Sequence, residues 1–125
     1  MEIVINDNRT IEEIQNEFSA EFPYLKIEFL STTPDKKGMA SKSDLFPRQK
    51  KLSAIQDKHS EGKLSLAPER TVREIRDELK EKYGLSSQIF RKFGNMWIET
   101  GLTDHWSLSL QNSEGHEISE TFVKK

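Results

Sequence analysis

Cysteine is absent from the 125 residues. That excludes a disulfide scaffold, a thiol nucleophile and any thiolate-ligated zinc or iron–sulfur site. Long apolar runs are missing as well: nothing approaches the ~18 consecutive apolar residues of a membrane-spanning helix, so no membrane partner is expected. Neither sign of charge dominates, with 19 basic against 21 acidic residues and a net charge of −2, which argues against nucleic-acid binding through overall charge. The opening MEIVINDNRT lacks the cationic start and apolar stretch of a secretory signal, and a cytoplasmic location is the default expectation. Leu, Ile, Val and Phe together make up 31 residues, a share above the roughly 20% below which chains stay disordered. The length suits one domain, residues 1–125, rather than two.

The most informative feature present is an internal repeat. Residues 3–29, IVINDNRTIEEIQNEFSAEFPYLKIEF, align with residues 64–90, LSLAPERTVREIRDELKEKYGLSSQIF, at an offset of 61. Thr10, Glu13, Ile14 and Glu17 meet Thr71, Glu74, Ile75 and Glu78, and Ile3 and Ile5 meet Leu64 and Leu66. One extra residue after the second helix brings Ile27 opposite Ile89.

Each copy reads as strand, helix, strand. Ile3 and Ile5, and Leu64 and Leu66, alternate with the period of a half-buried strand. Thr10 and Thr71 each precede a Glu by three residues, the spacing of a capping box. Ile11, Ile14, Phe18 and Phe22 then form one helical stripe, and Val72, Ile75, Leu79 and Tyr83 another. Pro23 and Gly84 supply the stops, and Glu78 and Lys82 have the spacing of a helical ion pair. Leu25, Ile27 and Phe29 alternate again. Gly94-Asn95 between QIFRKF and MWIET marks a two-residue hairpin turn. Its register pairs Phe93 with Met96, Lys92 with Trp97 and Phe90 with Glu99, so that Phe90, Lys92 and Trp97 share a face.

These units, residues 3–31 and 63–100, predict an α+β fold: tandem βαβ units in a ferredoxin-like two-layer sandwich, with both helices on one sheet face and the hairpin adding a C-terminal strand. A pair of βαβ units that swap strands between subunits is the alternative. Residues 32–62 differ in composition, with only Leu45, Phe46, Leu52 and Ile55 strongly apolar. From Lys36 to Lys58, seven cations stand against two anions, a net +5 inside a chain otherwise at −7. This segment is expected to be a basic, mobile insertion, with Pro47 opening one loosely docked helix over RQKKLSAIQDKH. In the extension, residues 101–125, Trp106, Leu108 and Leu110 alternate like a strand, while Thr103 or Asp104 equally suits the cap of a short helix.

Catalytic patterns are missing. There is no nucleophile elbow, glycine-rich phosphate loop or HExxH. His59, His105 and His116 have no metal-ligand spacing, and Asp104, His105 and Ser107 are too close in sequence to converge as a triad. No cofactor or metal is expected. The helical carboxylates read as a solvated face. What remains is the basic insertion, with Lys36, Lys37, Arg48, Lys50 and Lys51, and the sheet face of Phe90, Lys92 and Trp97, with Lys26 and Arg91 adding charge nearby. The expected function is a small, non-enzymatic domain that binds a protein partner through the insertion or that face. The alternative is single-stranded nucleic acid stacked on Phe90 and Trp97, although the RNP consensus order is absent. A ligand-binding or catalytic site without a sequence signature is a third, weaker reading.

Overall fold

In the computed structural model, which describes residues 1–31, 45–56 and 58–123, the chain is α+β with three helices and two antiparallel sheets. The strands are β1 (Glu2–Ile5), β2 (Leu25–Leu30), β3 (Gly62–Ser65), β4 (Ser86–Phe93) and β5 (Met96–Glu99). The helices are α1 (Ile11–Glu21), α2 (Val72–Tyr83) and α3 (Leu108–Val123). No helix among the described residues is long and apolar enough to cross a membrane.

Both capping boxes form. The Thr10 and Thr71 hydroxyls accept from the Glu13 and Glu74 amides, while each Glu carboxylate accepts from its threonine's backbone N–H. The two predicted stripes are buried, from Ile11 to Phe22 and from Val72 to Tyr83. Gly84 ends α2 at φ 65°, a left-handed conformation that glycine adopts without steric cost. The stripes meet Ile27, Phe29 and Ile89 in one hydrophobic cluster that also takes in Ile3, Ile5, Leu64 and Leu66.

The expected single ferredoxin-like sheet is divided. β1 pairs with β3, and β2 pairs with β4, which carries β5 on its other side. Each βαβ unit therefore gives its first strand to one sheet and its second strand to the other. Period-two alternation fixes which residues face inward but leaves the neighbouring strand undetermined. The hairpin has the predicted register, Phe93 opposite Met96 and Lys92 opposite Trp97, around Gly94 at φ 67°.

The repeat extends beyond the sequence match. At the N-terminus of α1, the amides of Ile11 and Glu12 donate to the carbonyls of Lys50 and Arg48, and Leu52 N–H donates to the Arg9 carbonyl. At the N-terminus of α2, Val72 and Arg73 donate to Trp106 and Asp104, and Leu108 donates to Arg70. Segments 48–52 and 104–108 thus do the same work, each satisfying two orphan amides of a helix start. Leu52 and Leu108, anchoring the two segments, are both fully buried. Arg9 and Arg70 are likewise twins: each donates to a backbone carbonyl of its own unit, Val4 or Ser65, and each reaches a helix carboxylate, Glu17 or Glu78.

Two local expectations are corrected. The insertion's described part is not a loosely docked helix: it forms a single 3₁₀ turn, Leu52–Ala54, because the carbonyls of Arg48 and Lys50 are drawn out to cap α1. Residues 32–44 and 57, which include Lys36 and Lys37, lie outside the described residues. Glu78 pairs with Arg70 at 2.9 Å rather than with Lys82, whose ammonium lies over the Tyr83 ring at 5.5 Å. Of the two conformations that the extension's sequence suits, residues 108–123 take the helix. The helix starts later than a Thr103 or Asp104 cap would set it and buries Leu108, Gln111, Gly115 and Ser119, leaving Leu110 exposed.

Candidate functional site

Side chains alternate across the β2–β4–β5 sheet. Leu25, Ile27, Phe29 and Ile89 face the helices. Lys26, Glu28, Phe90 and Lys92 face the other way, joined by Trp97 opposite Lys92. Lys26 Nζ sits over Phe90 at 5.1 Å and over Trp97 at 5.3 Å, and Lys92 Nζ lies 5.9 Å from the Trp97 ring. Glu28 approaches Lys26 at 3.6 Å. The result is an alternation of ammonium groups and aromatic rings, each cation attracted by a ring quadrupole. Trp97 stays 37% exposed, and Met96, on the reverse of the same hairpin, 59%.

Among the described residues, the C-terminal segment lies on the opposite, helical side of the sheet rather than on this face. Trp106 packs on the guanidinium of Arg91 at 5.1 Å, and Arg91 points to the helical side, where it donates to Gln111 at 2.8 Å. Arg91 is thereby withdrawn from the cationic face expected to include it. Its burial pushes the guanidinium pKa down, partly offset by the charge of Glu114.

At the edge of β2 the face continues into a cleft of about 260 Å³, lined by Gln15, Asn16, Lys26, Glu28, Arg48 and Trp97. Gln15 organises it. The Gln15 amide nitrogen donates to the Ile27 carbonyl and to Glu28, both at 2.9 Å, and its oxygen accepts from Arg48 Nε at 3.0 Å. Arg48 also donates to Asn16 at 3.3 Å. Ser19 donates to the Leu25 carbonyl at 2.9 Å, and Phe46 N–H to the Phe29 carbonyl at 2.9 Å. The outward carbonyls of β2 are therefore occupied, which blunts this strand as a template for edge pairing.

The structure thus brings four of the sequence candidates, Arg48, Phe90, Lys92 and Trp97, to the face and its cleft. Lys50 and Lys51 are exposed beside the N-terminus of α1. Gln15, Asn16 and Glu28 are additions. The signal for Gln15 was legible in retrospect: it is a polar residue in a helical slot flanked by Ile14 and Phe18, where apolar side chains belong.

The other polar groups have structural occupations. Asp104 binds Arg73 and Arg76, and His105 is exposed. His59 contacts Asp7 at 3.0 Å, and His116 packs edge-on to Tyr24. Among the described residues no three His, Asp or Glu side chains are grouped to hold a metal ion. Comparison with protein-family models, curated proteins and solved structures gives no match.

Proposed function

We propose that this domain is a non-enzymatic interaction module that binds a protein partner through the outward face of the β4–β5 hairpin. The cationic segment before β3 supplies long-range attraction. The observation that supports this reading is a half-exposed Trp97 set between Lys26 and Lys92 on that face. Tryptophan is enriched in interface cores, and such aromatic anchors carry much of the binding energy. Cations around them steer encounter and select acidic partners, an effect that weakens with salt. The cysteine-free composition fits a cytoplasmic setting.

Single-stranded nucleic acid is the second reading, favoured by the same aromatic and cationic groups. It is the less economical one. Bases stacking on Phe90 and Trp97 would have to displace ammonium groups already seated over both rings.

Affinity capture at low ionic strength tests the proposal. The wild-type chain recovers a protein partner, high salt releases it, and Trp97→Ala combined with Lys92→Glu abolishes recovery. Lys50→Glu with Lys51→Glu weakens recovery and flattens its salt dependence. No partner at low salt, or undiminished recovery by the Trp97/Lys92 variant, counts against the reading. Recovery of nucleic acid alone transfers support to the second reading.

A further inference from the structure

The two halves can be compared position by position, and the comparison singles out one corner. In the second half, Arg73 of α2 donates to both oxygens of Asp104, at 2.8 and 3.2 Å, and Arg76 Nη1 lies 3.7 Å from the same carboxylate. The corner is closed, its charges matched. The equivalent residues of the first half are Glu12, Gln15 and Arg48, from offsets of 61 for the helix residues and 56 for the capping segment. Here the polarity is reversed. Arg48 stands where Asp104 does, and the position of Arg76 is taken by an uncharged amide.

Among the described residues no carboxylate lies within ion-pair distance of Arg48. Its partners are the neutral oxygens of Gln15 and Asn16. Gln15 is buried, and its amide is fixed by Ile27 and Glu28, so the guanidinium is held by a rigid acceptor. Among the described residues its remaining N–H groups meet no further acceptor. Arg48 also lines the cleft that holds Lys26, Glu28 and the Trp97 indole. Two cations against one carboxylate leave this cleft with a single net positive charge.

We infer that the cleft is a receptor for one carboxylate side chain of an acidic segment in the protein partner, seated between Arg48 and Lys26 against Trp97. This rests on the partner-binding reading above. A monoanion matches the cleft's net charge, a condition that a phosphodiester also meets, and what favours the carboxylate is a precedent inside the molecule. Asp104 supplies the internal precedent: the equivalent corner already holds a carboxylate on arginine. Arginine suits the task because its planar fork matches a carboxylate's geometry.

The probe is a penta-glutamate peptide, with penta-glutamine as the uncharged control and a short oligothymidylate as the phosphate arm. Trp97 emission is read in a Trp106→Phe background. Penta-glutamate produces a saturable, salt-sensitive change, penta-glutamine none, and oligothymidylate binds more weakly. Arg48→Gln weakens peptide binding about tenfold, the loss of one charge-assisted hydrogen bond, and Arg48→Lys retains part of it. The Arg48 backbone carbonyl that caps α1 survives both substitutions, and circular dichroism checks the fold. Equal response to penta-glutamine, unchanged affinity in Arg48→Gln, or tighter binding of oligothymidylate overturns the inference. Should Arg48→Gln leave affinity intact while the Trp97/Lys92 variant still loses its partner in capture, the cleft assignment alone falls. Loss of neither removes both.

Discussion

Ile3 and Leu64 face each other across the β1–β3 ladder, and each is the other's counterpart in the internal repeat. Ile27 and Ile89 stand in the same relation across β2–β4. Pairing of equivalent residues in antiparallel register is the self-complementary contact that a local twofold axis produces. Both ladders are therefore centred between the two copies, and the core belongs to neither copy alone. Ile3→Ala and Leu64→Ala should each cost about 2–5 kcal/mol, by similar amounts. The double variant should cost less than the sum, because both deletions open one shared space. Urea denaturation measures all three. A cost below about 1 kcal/mol at either position would contradict the shared core.

Leu52 lies in the basic segment, yet its side chain is fully buried and its amide is bonded to the Arg9 carbonyl. Leu52→Ala should destabilise the protein by about 2–5 kcal/mol, as for a core leucine, whereas Lys50→Ala and Lys51→Ala should fall within about 0.5 kcal/mol of wild type. Thermal or urea unfolding separates these outcomes. A neutral Leu52→Ala would mean that this segment is not part of the core.

Gly115 sits mid-helix in α3, where alanine would ordinarily gain about 1 kcal/mol. A Cβ at this position would lie 2.9 Å from the Tyr24 Cβ, 3.1 Å from the Arg91 Cγ and 3.2 Å from the Tyr24 carbonyl. The first and last of these atoms cannot swing away, so helix preference loses to overpacking. Gly115→Ala should destabilise by about 1–3 kcal/mol. Hydrogen exchange should show the loss concentrated in α3, which also depends on Asn112 accepting from the Tyr24 amide at 2.9 Å. Stabilisation by alanine would refute the close docking.

Glu13 gives the acid limb of stability a specific component. The bond from the Thr10 backbone N–H holds its carboxyl below the usual carboxylate range, with the Thr10 hydroxyl and Arg9 adding to the effect against some desolvation. Because the folded pKa is depressed, the contribution is complete above the unfolded value and is lost as pH falls through the folded one. Glu13→Gln should therefore lower the urea midpoint at pH 7, and the gap to wild type should close in acid below the ordinary carboxylate range. A gap independent of pH would show that the charged capping box contributes nothing.

Much of this was legible in the residues, for identifiable reasons. Capping boxes, helical stripes and the Gly94 turn are local, and Thr10, Thr71, Phe93 and Met96 behave as their spacing requires. Strand partners are not local, so the same alternation suits one sheet or the two that form. Leu52 is one leucine among lysines, too isolated to announce a core position. α3 buries Leu108 with Gln111, Gly115 and Ser119, a stripe too polar to show an amphipathic period. At the site, Trp97 and Lys92 are legible through hairpin register, while Arg91 turns to the helical side. Its neighbours on the helical side, Trp106 and Gln111, come from a segment whose conformation the sequence left open.

The most direct test of the interaction reading is site-specific crosslinking. A photoactivatable phenylalanine analogue replaces Trp97 in one protein and Lys63, exposed on β3, in another. Irradiation in extract at low salt should give a discrete protein adduct from position 97, suppressed by Lys92→Glu, and none from position 63. Equal adducts from both positions, or none from position 97, would contradict a partner bound at the hairpin face.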